Sequence, residues 1–422
     1  MNPIDWLVLL STLGLIVGYG VYKTRRSATE SDLLSGSKEV SLWTVGLGIM
    51  ATQASAITFL STPGQAYAHD MGFIQFYFGL PIAVVLVSAF FVPMYRKMSA
   101  VTAYQFLEGR FDRRVRLFTA ALFLLSRGLS AGITIFAPAI VLSAALKLPL
   151  NAMIVVIGLI VLFYVVSGGS AAVAVTQKWQ MTTILGGMAV AGMVLANRIP
   201  VSLADAYHIA GEMGKLRIID TSFNPETRYT LWSGLAGGVF LSLSYLGTDQ
   251  SQVQRYLGAG DQKTSRFGLL FNGAFKVPMQ FSILAIGVLL FVFYQFIQPP
   301  VFFNQSEVER VPEASKAELV ALEAEHATVF EAKRTALLQA HWDEAHALED
   351  EQEAIRAKYM AILERDVSNF QPKDTDYVFI TFVLNFLPTG LVGLLLAVII
   401  SAAMSSTAGE VSALATTTYV DY

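Results

Sequence analysis

The 422 residues contain no cysteine. That removes disulfides, thiolate metal sites and a cysteine nucleophile. Charge is scarce as well: 14% of residues are Asp, Glu, Lys or Arg, while 54% are hydrophobic. With a mean hydropathy of +0.53, this composition excludes an ordinary soluble domain and gives an all-α, polytopic membrane protein. No long basic run is present, so nucleic acid is not expected as a partner. There is no phosphate loop, nucleophile elbow or HExxH, so no enzyme is expected either.

The few charges are unevenly placed. The segment 301–376 holds 17 acidic and 8 basic residues, and the remainder holds 15 and 21. Segments of about 20 apolar residues cross a bilayer. By that rule nine spans are expected, near residues 3–22, 42–66, 73–95, 117–146, 150–166, 171–196, 229–255, 267–297 and 388–419. In the first span Asp5 precedes the apolar run and Lys23, Arg25 and Arg26 follow it. A cleaved signal carries its positive charge first, so a retained helix with its N-terminus outside is expected. Basic clusters at 23–38 and 96–116 place those loops in the cytoplasm. Alternation then puts 197–228 and 301–376 outside and the C-terminus inside. The expected location is the cell (plasma or inner) membrane, multi-pass, with the lipid bilayer as a partner.

From Glu313 to Asp366 the chain is rich in Ala, Glu, Leu and Lys, with a loose helical stripe of apolar residues. A charged helical hairpin projecting from the membrane is expected. Its His326, His341 and His346 invite a metal reading. However, a five-residue spacing fits one helix face poorly, and HWDEAH is not the zincin pattern. A solvated helix is preferred.

Several apolar spans carry polar residues. In PTGLVGLLLAVIISAAMSSTAGEVSALATTTYVDY, residues 388–422, Ser401, Ser405, Ser406, Thr407, Glu410 and Ser412 interrupt the run. Ala402, Ser405 and Ser406 stand at i, i+3 and i+4 and share one face. Such a face packs closely against a neighbouring helix, or it ligates a hard cation through oxygen. The second span is interrupted by Gly46, Gly48, Thr52, Gln53, Ser55, Thr58, Ser61 and Thr62. The seventh is loosened by Gly234, Gly237, Gly238 and Gly247. Interrupted helices at corresponding places in two halves point to an inverted-repeat transporter. Lys276 lies near mid-membrane, where a charge costs about 2.5–3.5 kcal/mol. It either faces a polar cavity or is satisfied by carbonyls of a broken helix. Tyr245 is either a stacking gate over a solute or a packing aromatic.

Three pieces, LGTDQSQVQRYL at 246–257, SGGSAAVAVTQKWQM at 167–181 and AAMSSTAGEVSALATTTYVD at 402–421, make the chain resemble the sodium/solute symporter family, which includes sodium/glucose cotransporters. The resemblance implies the leucine-transporter-type inverted repeat with one extra N-terminal helix. On that pattern 1–22 is the extra helix and 42–196 the first five-helix repeat. Residues 229–297 and 388–422 begin the second repeat, and 301–376 is an extracytoplasmic insertion. The last two core helices are missing, so the chain alone is not expected to transport. The resemblance also assigns a sodium site to the carbonyls of Ala51, Ala54 and Ala402 and the hydroxyls of Ser405 and Ser406. It places Thr58, Gln75, Tyr77, Ser242, Tyr245 and Lys276 at or beside the solute. Thr58 and Ser242 stand where sugar carriers have larger amides, and no acidic sugar ligand appears near Gln75 and Tyr77, which argues against a glucose-type solute. The family's second-site aspartate is Gln177 here. Glu410 therefore either completes a second cation site with Thr176 and Gln177, pairs with Lys178, or stays protonated.

The function implied is sodium-coupled uptake of a small polar solute by alternating access, with sodium as the coupling ion and no other cofactor. The solute class is a sugar, carboxylate, amino acid or vitamin. The alternatives are a symporter-like solute sensor and a membrane-anchored interaction protein that works through its charged hairpin.

Overall fold

The structure is a computed structural model that describes residues 1–24, 41–98, 100–224 and 226–422. Most of the basic segment 23–38 lies outside the described residues. Among those described, helices dominate. They are α1 (Pro3–Thr24), α2 (Leu42–Gln53), α3 (Ala56–Ala68), α4 (Gly79–Leu86), α5 (Val92–Lys97), α6 (Gln105–Arg110), α7 (Arg113–Leu146) and α8 (Leu150–Arg198). Next come α9 (Leu203–Glu212), α10 (Leu231–Thr248), α11 (Gln250–Leu257), α12 (Gln262–Phe296), α13 (Gln305–Val308), α14 (Glu313–Leu338), α15 (Trp342–Asp366), α16 (Val378–Phe386) and α17 (Leu391–Asp421). Side chains start several of them. Asp112 accepts from the Val115 amide, Asp261 from that of Thr264, and Thr230 forms a reciprocal cap with Ser233. Each cap satisfies a helix-end donor that would otherwise be left without a partner.

Among the described residues seven helical stretches are long and apolar enough to cross a membrane, or eight if the bent pair α2–α3 counts as one span. The expected ninth, 229–255, is divided. Its extended residue Asp249 ends α10 and caps α11. Gly and Ser dilute the apolar run, which is why α10, at 18 residues, falls short by composition. The expected spans five and six are both present, as two helical stretches of α8 joined across a kink at Gly169, where φ is 57°. An L side chain adopts that conformation only under strain, so glycine is required there.

α17 is the centre of the bundle, with 89% of its most apolar window buried; α7 has only 11%. On α7, Phe118, Leu122, Leu125, Leu129, Ile133 and Phe136 are all exposed and recur at helical spacing. This stripe is an apolar surface left uncovered by the described residues, as a helix against lipid or against another helix would present. α1 docks on α17 so closely that a Cβ on Gly393 would strike the backbone of Asp5, whose carboxylate accepts from the Gly390 amide at 2.6 Å.

The segment 301–376 forms the expected helical hairpin. Lys333 pairs with Glu349, Lys358 with Glu325, Tyr359 with Glu323 and Arg365 with Glu318, so α14 and α15 run antiparallel. The hairpin does not project outward. Its tip lies back on the bundle, with Trp342 5.2 Å from the His208 ring of α9, and Ala336, Leu337 and Ala345 join the main core. Burying that apolar face against the bundle removes it from water, which the charged composition of the segment concealed. Arg356 and Asp374, 2.6 Å apart, fasten the base of the hairpin.

His326 is buried in this hairpin. Burial, together with the cations of Lys333 and Arg356, pushes its imidazole down to about 4 despite Glu349. A histidine whose folded pKa lies below its unfolded value takes up a proton on unfolding, so stability falls with pH. The hairpin should therefore keep full protection above about pH 6.5 and lose it as pH drops toward 4. Hydrogen exchange over 313–366, corrected for intrinsic rates, at pH 7.5 and pH 5 (roughly one unit either side of an ordinary histidine) would show this. His326→Gln should flatten the difference. Equal protection at both pH values would refute it.

Candidate functional site

The bend between α2 and α3 is 62°. Helix α2 stops at Gln53, Ala54 and Ser55 are non-helical, and α3 resumes at Ala56. A break of this kind leaves carbonyls of the last turn without the next helical amides. α17 passes beside it. The Ser405 hydroxyl donates to the Ala51 carbonyl at 3.1 Å, and the Ser406 hydroxyl donates to the carbonyls of Ala402 at 3.0 Å and Ala403 at 3.2 Å. Ala51, Ala402, Ser405 and Ser406 are buried, and Ala54 lies in the break itself. From α8, the Gln177 amide donates to the Ser405 carbonyl at 2.9 Å and to the Thr52 hydroxyl at 3.0 Å. The result is a set of uncharged oxygens from two helices, held by a third. That donor chemistry suits a small hard cation that must also be released.

One step from the break lies a cavity of about 160 Å³. Tyr77, Ser242, Tyr245 and Lys276 line it, together with Gln53, Phe76, Leu80, Leu241 and Leu246. Lys276 is 2% exposed, and its ammonium has no hydrogen-bond partner. It borders this cavity, and no broken-helix carbonyl lies within hydrogen-bond range of its ammonium. Gln53 is the last residue of α2, so the cavity and the broken-helix oxygens share one piece of backbone.

Two expected solute residues are absent from this cavity. Thr58 does not line it. Gln75 is fully buried, and its amide is consumed by backbone: Nε2 donates to the carbonyls of Gly72 and Tyr229, and Oε1 accepts from the Asp220 amide. It braces the 220–229 loop. Of the residues that sequence reasoning missed, Gln53 was signalled by its place at a break. Phe76, Leu80 and Leu246 carried no polar signal.

Glu410 is not brought to Thr176 and Gln177. It faces α7, where Arg127 donates to it at 3.0 Å and Ser130 at 3.1 Å. Arg127 also pairs with Asp249 at the α10–α11 break, and its guanidinium lies 5.5 Å from the Tyr245 ring centroid. Thr176 bonds to carbonyls of its own helix, and Lys178 lies over the ring of Trp179. The carboxylate is thus ion-paired, with Arg127 in place of Lys178. Arg127 sits alone in the apolar run of α7, and a lone intramembrane arginine demands a partner; that signal was readable. The other histidines make no metal cluster: among the described residues no group of three His, Cys, Asp or Glu could hold a metal.

The sequence model of the sodium:solute symporter family matches residues 34–320. The human sodium/iodide cotransporter is 30% identical over 295 residues, which are 69% of this chain and 45% of that protein. Human sodium-coupled monocarboxylate transporter 1 is 31% identical, covering 64% of this chain and 44% of its own length. The sodium/sialic acid symporter SiaT of Proteus mirabilis (strain HI4320) is 29% identical over 69% of this chain and 59% of its own. The chain thus spans about half the length of such relatives. A solved structure of a substrate-bound, outward-open Na+-coupled sialic acid symporter superposes over 100% of this chain and 75% of its own, with a TM-score of 0.77 at 23% identity, and so shares the fold. On the match to more than half of its length, the chain is an integral, multi-pass membrane protein that belongs to the sodium:solute symporter family.

Proposed function

We propose that this chain carries the sodium and solute sites of a secondary active transporter that couples inward sodium movement to uptake of a small anionic solute. The observation that carries the reading is Lys276, a buried ammonium without a partner in a cavity that adjoins the broken helix. A buried cation is costly unless it is paired. No carboxylate lines that cavity, so the solute supplies the anion. The relatives are named for iodide, monocarboxylate and sialic acid, all of which are anions or acids. Those names are of cotransporters and symporters, which weighs against a solute sensor.

Sodium occupies the five oxygens of Ala51, Ala54, Ala402, Ser405 and Ser406. Drawing the end of α2 and the middle of α17 together around one ion fixes the position of Gln53, and with it one wall of the solute cavity. Binding of one ligand then favours the other, which is the coupling that symport needs. Residues 42–196 form the first repeat, and 229–297 with 388–422 contribute to the second. The hairpin end, which also holds the N-terminus, faces outward. At the opposite end Arg127 ties α7 to Asp249 and to Glu410 of α17, and this tie must part for solute to leave inward.

Three measurements test this reading. Ser405→Ala with Ser406→Ala should insert normally but weaken sodium dependence of uptake by at least roughly tenfold; wild-type sodium dependence would make this face packing alone. Lys276→Met should lower affinity for a carboxylate solute by roughly a hundredfold in a radioligand assay, and unchanged affinity would remove Lys276 from the site. Arg127→Met leaves two carboxylates without their cation, so it should cost about 3–5 kcal/mol of stability. Glu410→Gln should cost less, because the amide still accepts from Ser130. Comparison of melting curves in detergent checks the order, and equal losses would contradict it.

A further inference from the structure

The hairpin leaves a space beneath it. A second cavity of about 170 Å³ lies between α14–α15, the ends of α3 and α12, and the turn after α9. It is separate from the cavity at Lys276, with no lining residue in common. Most of its hairpin wall falls beyond the residues matched by the family model.

Two ion pairs in the wall are complete in themselves. Lys333 binds Glu349 at 2.5 Å, and Arg356 binds Asp374 at 2.6 Å. Two other charges in the wall, Lys215 and Glu353, attract each other without forming a direct ion pair. Lys215 gives one hydrogen bond to the Ala68 carbonyl at 3.0 Å and lies 4.5 Å from the Phe291 ring centroid, but no carboxylate among the described residues pairs with it. Glu353, also in the wall, has no cationic partner among the described residues.

The buried neutral groups are divided in the same way. Nε2 of His326 lies 3.4 Å from the amide nitrogen of Gln352. The amide donates there, so the ring proton sits on Nδ1. That Nδ1 is buried without a partner, and so is the Tyr294 hydroxyl. Oε1 of Gln295 is a buried acceptor in the same wall, also without a partner. Buried polar groups left unpaired are costly, so three around one cavity call for an occupant. The wall therefore offers three donors, Lys215, His326 and Tyr294, and two acceptors, Glu353 and Gln295. A volume near 150 Å³ is enough for a benzene-sized ligand.

We propose that this cavity binds a free α-amino acid, its carboxylate toward Lys215, His326 and Tyr294 and its ammonium toward Glu353 and Gln295. A ligand carrying both charges would bridge Lys215 and Glu353, which attract each other without touching, whereas a carboxylate or an amine alone would answer one of them. The proposal does not rest on the transport reading, because none of these residues belongs to the sodium or Lys276 sites.

The test is equilibrium binding of L-proline and L-valine to the purified protein in detergent, in sodium-free buffer, which leaves the sodium-coupled site disengaged. Saturable binding is expected. Propionate and pyrrolidine, the two halves of the ligand chemistry, should each bind at least roughly tenfold more weakly. Lys215→Met and Glu353→Gln should each weaken amino-acid binding by a similar factor, while Lys276→Met should leave it unchanged. Glu353 is exposed, so Glu353→Gln tests the site without risk to the fold. Absence of saturable binding would mean that the cavity holds water alone. Binding that survives both Lys215→Met and Glu353→Gln, or that disappears with Lys276→Met, would overturn the proposal.

Discussion

A helix that stops inside an apolar slab exposes amides and carbonyls that lipid cannot satisfy, and each must find a partner in the protein or in a ligand. Two such stops organise this molecule. At Ala54–Ser55 the loose end of α2 is met by Ser405 of α17 and, through Thr52, by Gln177 of α8. At Asp249 the carboxylate caps the next helix through the Ser251 amide and hydroxyl while reaching Arg127 of α7. The groups that satisfy the backbone are the ones that define the candidate sites. A span wound through without interruption would need neither the serines nor the glutamine.

This requirement explains the composition of α17. Its middle is small as well as polar, and the two properties serve the same contact. A Cβ on Gly409 would come within 3.0 Å of Thr52, so a larger residue there would force α17 away from the break. Moving the helix would take Ser405 out of hydrogen-bond range of Ala51. The reading of this face as close packing and its reading as cation ligation are therefore not exclusive. Close approach is the condition under which hydroxyls on one helix reach carbonyls on another.

Much of this was legible in the sequence, because hydropathy and helix-breaking residues act locally. The spans, the presence of an interruption in the second span and the shared face of Ala402, Ser405 and Ser406 follow from composition and spacing within one segment, whereas the place of the break after Gln53 did not. What was not legible depends on which distant groups meet. Gln75 reads as a solute residue until loop amides at Asp220 and carbonyls at Tyr229 occupy it. The partner of Glu410 depends on the rotation of α17 about its axis, and one turn of sequence offers Lys178 as readily as Arg127. The hairpin was recognised from its Ala-Glu-Leu-Lys composition. Its direction was hidden, because a few apolar residues at the tip outweigh a charged surface that water solvates equally well in either orientation.

The two ends of the bundle are closed by different physics, and the difference bears on how it moves. At the hairpin end the contacts are broad and partly apolar: Trp342 on His208, Leu337 and Ala345 in the core, Tyr67 edge-on to Tyr294 and Phe303. Such a surface loosens gradually, since each contact contributes little and water replaces the apolar ones at a cost proportional to area. At Arg127 a single guanidinium holds two carboxylates, Asp249 at the α10–α11 break and Glu410 on α17. Separating it from either leaves an unpaired charge in a poorly hydrated place, so partial opening is disfavoured and the tie is close to all-or-none. Tyr245 links that tie to the cavity at Lys276, since its ring lies beside Arg127 and also lines that cavity. A solute that shifts Tyr245 changes the packing against Arg127 directly. The cavity and the tie are thus one packed unit, so a change at either is felt at the other, which is what a site that opens to one side at a time requires.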